Sequence, residues 1–79
     1  MIDFDAIWRC QDEVRTEVNA CLGDCIWELN YNPGRLCIEM ELDRHLNDDE
    51  LALITSQLTT PADYDGEGET GTMFVLYPW

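Results

Sequence analysis

The sequence predicts a small α+β domain in which a three-stranded sheet, in the element order αββαβ, carries two helices on one face. Three observations lead to this class. Apolar residues recur at helical spacing in residues 3–22, they alternate strictly with polar residues in residues 35–43, and a second apolar stripe follows a helix-capping pattern at residue 47. Since 79 residues leave room for one hydrophobic core, we treat residues 1–79 as a single domain.

The first predicted element is a helix over residues 3–22. Asp3 or Asp5 can cap its beginning, and Gly23 stands where a helix usually ends. Both arginines of this segment lie three or four residues from an acid, so we expect the polar face to be self-compensated by ion pairs. The expected apolar stripe consists of Phe4, Ile7, Trp8, Val14, Val18, Cys21 and Leu22.

A β-hairpin is predicted next, with strands over residues 25–31 and 35–43. The turn between them is formed by Asn32-Pro33-Gly34, in which proline fixes φ and glycine permits a positive φ. An even-length loop then pairs apolar residues with one another and sets Glu28 beside Glu39. The expected pairs are Tyr31 with Leu36, Leu29 with Ile38, and Trp27 with Met40.

A second helix is predicted over residues 48–58, followed by a loop and a last strand. Asn47 is a natural N-cap, and Glu50 three residues later completes a capping box. Residues 62–71 are rich in acids and glycine and are predicted to be a loop, whereas residues 72–77 are apolar on both faces, as a central strand would be. The inner stripe of the second helix consists of Leu51, Ile54 and Leu58.

The charge of the chain is its most unusual feature. The sequence contains 17 Asp and Glu residues, four Arg and no Lys, which gives a net charge of −13. A chain with this charge repels nucleic acid and anionic membranes and is attracted to basic surfaces. We therefore expect the partner to be a basic protein surface, with no direct binding to nucleic acid or membrane, and we expect a monomer or small homo-oligomer.

The negative charge is concentrated in the second half of the chain. Residues 1–37 contain seven acids and three arginines, whereas residues 38–79 contain ten acids and one arginine. This concentration costs self-repulsion that a merely solubilising surface does not require, and its charge density resembles that of a phosphate backbone. The candidate partner-binding residues are Glu28, Glu39, Glu41, Asp43, Asp48, Asp49, Glu50, Asp63, Asp65, Glu67 and Glu69.

No motif indicates catalysis, so we expect neither an enzyme nor a cofactor. The acids fall on predicted exposed faces and loops, whereas acid–base catalysis requires two carboxylates in different environments. No phosphate-binding loop and no pair of metal-binding histidines is present. Residues 63–69 alternate acids with glycine as calcium loops do, but Gly66 stands at the fourth position of the loop instead of the sixth.

The four cysteines raise the question of a metal or redox site. Cys10 and Cys21 fall three turns apart on the first predicted helix, so they cannot share one metal ion. Only Cys21 and Cys25 have a chelating spacing, and the chain has one histidine, His45. We expect buried or half-buried free thiols, and a metal-binding or redox module that uses Cys21 and Cys25 remains an alternative.

In size, acidity and predicted α/β architecture the chain resembles the small acidic inhibitors of phages and mobile elements, the anti-CRISPR and DNA-mimic class. This resemblance implies binding to the basic nucleic-acid-binding surface of a nuclease or CRISPR surveillance complex. The alternative is an immunity protein or antitoxin that neutralises a basic toxin by the same electrostatics.

The expected location is the cytoplasm of a bacterial host. Residues 1–5 contain two Asp and no basic residue, unlike the beginning of a signal or transit peptide. No stretch of the sequence approaches the roughly 20 apolar residues that a membrane span requires.

Overall fold

A computed structural model describes residues 3–79, so the first two residues of the acidic N-terminal segment lie outside the description. The elements are α1 (Phe4–Leu22), β1 (Ile26–Asn32), β2 (Cys37–Leu42), α2 (Asp48–Gln57), β3 (Ala62–Glu67) and β4 (Thr72–Leu76). The strands form one antiparallel sheet in the order β1-β2-β4-β3. The predicted α+β class with two helices is confirmed. The predicted three-stranded αββαβ arrangement is wrong, because the sheet has four strands in the element order αββαββ.

The additional strand, β3, occupies residues that were predicted to be a loop. Its acids and glycine have low strand propensity, but pairing with β4 overrides that preference. Asp63 pairs with Val75 and Tyr64 with Phe74, and the two aromatic rings meet edge to face with centroids 6.3 Å apart. Because β3 is an edge strand, acids on its outward side can remain in water.

Helix α1 begins and ends as predicted. The Asp3 carboxylate accepts a hydrogen bond from the Ala6 N–H at 3.1 Å, and Gly23 ends the helix with a φ of 83°. Phe4 and Trp8 were predicted on the apolar stripe but are exposed, because the buried stripe advances in steps of three and four residues that bypass them. The buried residues are Ile7, Cys10, Val14 and Val18.

The β1–β2 hairpin pairs in a register two residues away from the predicted one. Tyr31 pairs with Ile38 and Leu29 with Met40, so the apolar residues still face one another. The predicted pairing of Trp27 with Met40 is wrong, because Met40 pairs with Leu29. The strand also bulges between residues 26 and 28, and the Trp27 side chain is 62% exposed. A shift of two residues preserves the face of every side chain, which explains why the apolar pattern alone did not reveal it.

The turn residue Asn32 explains the shift in register. Its Oδ1 accepts hydrogen bonds from the Gly34 N–H at 2.9 Å and the Arg35 N–H at 3.3 Å. Such an Asx turn holds the chain in a tight bend, and the turn continues to Leu36, which adopts a left-handed φ of 54°. The strands therefore resume pairing at Asn32 and Cys37.

One hydrophobic core lies between the two helices and a single face of the sheet. The capping box of α2 is formed as predicted, with Asn47 and Glu50 bonded to each other's backbone. Within residues 3–79, neither helix is both long and apolar enough to cross a membrane. The core residues are Ile7, Cys10, Val14, Val18 and Ile54 of the helices, Leu29, Ile38, Met40, Leu42, Phe74 and Leu76 of the strands, and Cys25 and Leu46 of the connections. Both helices thus cover the same face, and the opposite face of the sheet has no helix on it.

Gly71 provides a test of this packing, because it is buried where the β3–β4 turn crosses the end of β2. An added Cβ would lie 2.6 Å from the Arg44 backbone N and closer still to the carbonyl oxygens of Leu42 and Arg44. We expect Gly71→Ala to lower the free energy of unfolding by about 1 to 3 kcal/mol, as overpacking does. Urea denaturation measures the change. The control is Gly34→Ala, whose Cβ would meet only the Asn32 side chain at 3.2 Å, and equal losses in the two variants would contradict this account.

Candidate protein-interaction surface

The face of the sheet opposite the helices is lined mainly by acidic side chains. Because side chains alternate along a strand, every residue that flanks a core position points to this side. We call this surface the open face. It consists of Glu28, Asn30, Asn32, Cys37, Glu39, Glu41, Asp63, Asp65, Met73 and Val75, of which Cys37 and Val75 are buried.

Cross-strand pairing orders these side chains into two rows that cross the sheet. The first row runs Asn30, Glu39, Val75, Asp63, and the second runs Glu28, Glu41, Met73. Neighbouring strands lie about 4.8 Å apart, and residues two apart along one strand are separated by roughly 6.7 Å. These rows contain four carboxylates, and Asp65, two residues after Asp63 on β3, is the fifth of the open face; Met73 is half-buried among them and Val75 is buried.

A single cation, Arg35, lies over one part of the open face. Its guanidinium nitrogen Nη1 lies 3.0 Å from Glu39 Oε2 and 3.1 Å from Asp65 Oδ2. Asn32 Nδ2 donates to the other Glu39 oxygen at 2.9 Å. Arg35 thus joins β2 to β3 across the intervening strand and reduces the repulsion between their carboxylates.

Glu41 is held by the turn between β3 and β4. The Thr70 N–H donates to Glu41 Oε2 at 3.0 Å, and the Thr70 hydroxyl donates to the same oxygen. These hydrogen bonds from the Thr70 hydroxyl and backbone lower the pKa of Glu41 below its usual value. The carboxylate therefore stays charged and fixed in position.

The remaining two carboxylates of the open face are free to meet a partner. Glu28 on β1 and Asp63 on β3 are both exposed. Within residues 3–79, neither takes part in the salt bridges formed by Arg35, Arg44 and His45. Beside Glu28 lies a shallow cleft of about 140 Å³, whose lining also includes Glu41 and Met73.

The other predicted partner-binding residues lie away from the open face. Glu50 caps its own helix and lies 3.4 Å from Arg44, so it serves the structure of the α2 N-terminus. Asp48 and Asp49 are exposed in the first turn of that helix. Asp43 and Glu69 are exposed on connections next to β2 and β4. The structure therefore brings five of the eleven predicted residues together on the open face and leaves the other six outside it.

Glu67 joins a polar network that the sequence analysis did not predict. Its carboxylate lies 2.7 Å from His45 Nδ1 and accepts hydrogen bonds from the hydroxyls of Tyr64 and Thr72. The hydrogen bond from Tyr64, followed by that from His45, lowers the pKa of Glu67. Thr72 Oγ1 also accepts from the Leu46 N–H at 2.8 Å. The hydrogen bonds of this network thus connect the β2–α2 connection to the β3–β4 hairpin.

The expected distribution of ion pairs is wrong. Helix α1 was expected to compensate its own acids, but the salt bridges within residues 3–79 involve only Arg35, Arg44 and His45. Arg9 instead donates from Nε to the backbone oxygen of Asp5 at 3.3 Å. Spacing on an exposed helix permits an ion pair without making it favourable. Arg35 reaches an acid 30 residues away only because the strands bring the two residues together.

The four cysteines are buried or half-buried, as predicted, and form no disulfide with one another. Cys10, Cys25 and Cys37 are buried and Cys21 is half-buried. Burial raises the pKa of all four thiols above the usual value, which keeps them protonated and poorly nucleophilic near neutral pH. In the part of the chain that the structure describes, no group of three or more His, Cys, Asp or Glu side chains is arranged to hold a metal ion.

The open face thus brings together five carboxylates, one arginine and the apolar residues Met73 and Val75, of which Val75 is buried. Sequence reasoning named all five acids but missed Arg35, Met73 and Val75. The alternation in residues 62–65, where Ala62 and Tyr64 alternate with Asp63 and Asp65, is the signal that could have predicted β3. Comparison with protein families, curated proteins and solved structures finds no match to this chain.

The hydrogen bonds of Glu41 generate a prediction about pH. Because the folded pKa is lowered from 4.5, the carboxylate stabilises the fold fully above that value, and the stabilisation is lost as pH falls through the lowered pKa. We expect Glu41→Gln to reduce the melting temperature at about pH 7 and to have a smaller effect at acidic pH, where wild-type Glu41 also becomes protonated. Thermal unfolding followed by circular dichroism measures both values.

The matched control for this test is Glu69→Gln in the same turn. Glu69 is exposed, so removing its charge should leave the melting temperature nearly unchanged at both pH values. An equal loss for Glu41→Gln at neutral and acidic pH would show that its charge is not what stabilises the turn.

Proposed function

We propose that the protein is an acidic inhibitor that acts as a DNA mimic. In this proposal the open face binds the basic nucleic-acid-binding surface of a nuclease or a CRISPR surveillance complex and blocks access of the nucleic acid. The observation that carries the proposal is the composition of the open face, on which five carboxylates surround a single arginine, Arg35.

The spacing of the carboxylates supports this role. Glu39 and Glu41 share one side of β2 and are separated by roughly 6.7 Å, twice the rise per strand residue. Duplex DNA carries one charge per roughly 3.4 Å along each strand. Asp63 and Asp65 on β3 and Glu28 on β1 add three more carboxylates to the open face. Together the five negative charges resemble the closely spaced phosphates that a nucleic-acid-binding surface accommodates.

The rigidity of the acidic groups also supports the proposal. Arg35 holds Glu39 and Asp65, and Thr70 holds Glu41, so these three side chains lose little further freedom on binding. Preorganisation of this kind increases affinity because less conformational entropy is lost. Met73, which is half-buried, adds apolar contact area among the charged side chains, as the centre of a protein–protein interface usually contains.

The first test of this function is the dependence of binding on salt. If exposed carboxylates replace phosphates, raising the salt concentration should screen their attraction to the partner's basic residues. We expect the affinity for a partner captured from a CRISPR-bearing host to fall steeply between about 50 and 500 mM salt. Isothermal titration calorimetry with the purified partner measures this change, and an unchanged affinity would rule out the electrostatic mechanism.

The second test locates the interface by charge reversal. Removing one paired charge from an interface typically costs about 2 to 5 kcal/mol of binding free energy. We expect the double reversal Glu28→Lys with Asp63→Lys to weaken partner binding by more than this. Both residues are exposed and outside the salt bridges of residues 3–79, so the fold should survive. Circular dichroism must first show that each variant is folded.

Two matched variants change the net charge by the same amount at other places. Asp12→Lys with Glu13→Lys alters exposed positions of α1, and Asp48→Lys with Asp49→Lys alters the beginning of α2. Both should bind more tightly than the open-face variant. If the α2 variant is the most damaging, the interface lies at the beginning of α2. If all three variants lose affinity equally, binding depends on net charge alone.

A further inference from the structure

We infer that strand β1 is a docking edge to which the partner adds an extended basic segment, as a fifth strand of the sheet. This inference rests on the proposed function and specifies how a partner would engage the open face. Addition of a strand to an exposed sheet edge is a common mode of peptide recognition, in which backbone hydrogen bonds supply affinity and alternate side chains supply specificity.

The two edges of the sheet differ in how well they are protected. Edge strand β3 contains Asp63, Asp65 and Glu67, and its register shifts near Gly66, which has a φ of 95°. Charges and bulges of this kind are what proteins use to prevent strand addition. Edge strand β1 has one charged residue, Glu28, and although its register also shifts between residues 26 and 28, it pairs regularly with β2 over residues 28–32. The structure thus leaves one edge available.

The side chains along β1 specify the composition of the added strand. On the open face, Glu28 lies at the edge with Glu41 directly behind it, so lysine or arginine side chains of an added strand about 4.8 Å away would reach both carboxylates. On the other face, Tyr31 packs edge to face against Trp79, with ring centroids 5.8 Å apart and Trp79 56% exposed. A segment that alternates basic and apolar residues matches both faces.

A second copy of this chain does not fit the same edge. Pairing of β1 with itself would bring together two chains of net charge −13 and would place the open faces of both side by side. Like charges on neighbouring strands are destabilising, and no lysine is present to offset them. Charge complementarity therefore selects a basic segment over self-association.

The test uses a capped peptide of alternating lysine and valine, about as long as the seven residues of β1. Amide hydrogen exchange measured by NMR on the full chain is the readout. We expect the peptide to slow exchange of β1 amides while leaving those of β3 unchanged. A peptide of the same composition with all lysines preceding all valines should bind less tightly, because its charges cannot all lie on one face.

A second peptide, N-methylated on the backbone nitrogens that would face β1, separates strand addition from simple charge attraction. Each hydrogen bond is worth about 1 kcal/mol, so losing two or more should weaken binding by about tenfold or more. If the methylated peptide binds as well as the parent and β1 amides stay unprotected, the docking edge is wrong, although the open face can still bind a basic surface. Concentration-dependent protection of β1 without peptide would also overturn the inference, since it would indicate self-association.

Discussion

Strand β2 buries Ile38, Met40 and Leu42 against the helices, and its alternation obliges Glu39 and Glu41 to occupy the opposite side of the sheet. The two sets of side chains cannot exchange places without losing the core. The core in this chain of 79 residues is small, so every one of these apolar contacts matters for folding. The acidic surface is consequently tied to the same constraint that gives the protein its core.

The concentration of carboxylates on one face is balanced by a few specific contacts. Arg35 lies between Glu39 and Asp65, and Thr70 donates two hydrogen bonds to Glu41. These contacts oppose the mutual repulsion of the acids without neutralising the surface, since one cation faces five anions. They also connect the β1–β2 turn and the β3–β4 turn to the central strands, so the geometry of the surface depends on both turns.

Most of the elements could be predicted from the sequence, because their signals are local. The ends of α1 follow from Asp3 and Gly23, and the beginning of α2 follows from Asn47 and Glu50. The two errors in the sheet have non-local causes. Strand β3 forms because β4 offers it a partner, and the hairpin register shifts because the Asn32 side chain bonds to the turn, an interaction that the apolar period of two cannot detect.

The sequence by itself determined the net charge, the two helices, the hairpin and the alternation that separates acids from apolar residues. These properties depend on composition and on spacings of a few residues. The tertiary structure alone decided which acids share a surface and which are paired. Asp63 and Asp65 share the open face with Glu39 and Glu41 because β4 pairs with both β3 and β2. Arg35 contacts Asp65, which lies 30 residues later in the sequence. Such neighbours are set by strand order, because the hydrogen bonds of a sheet join residues that are distant in sequence.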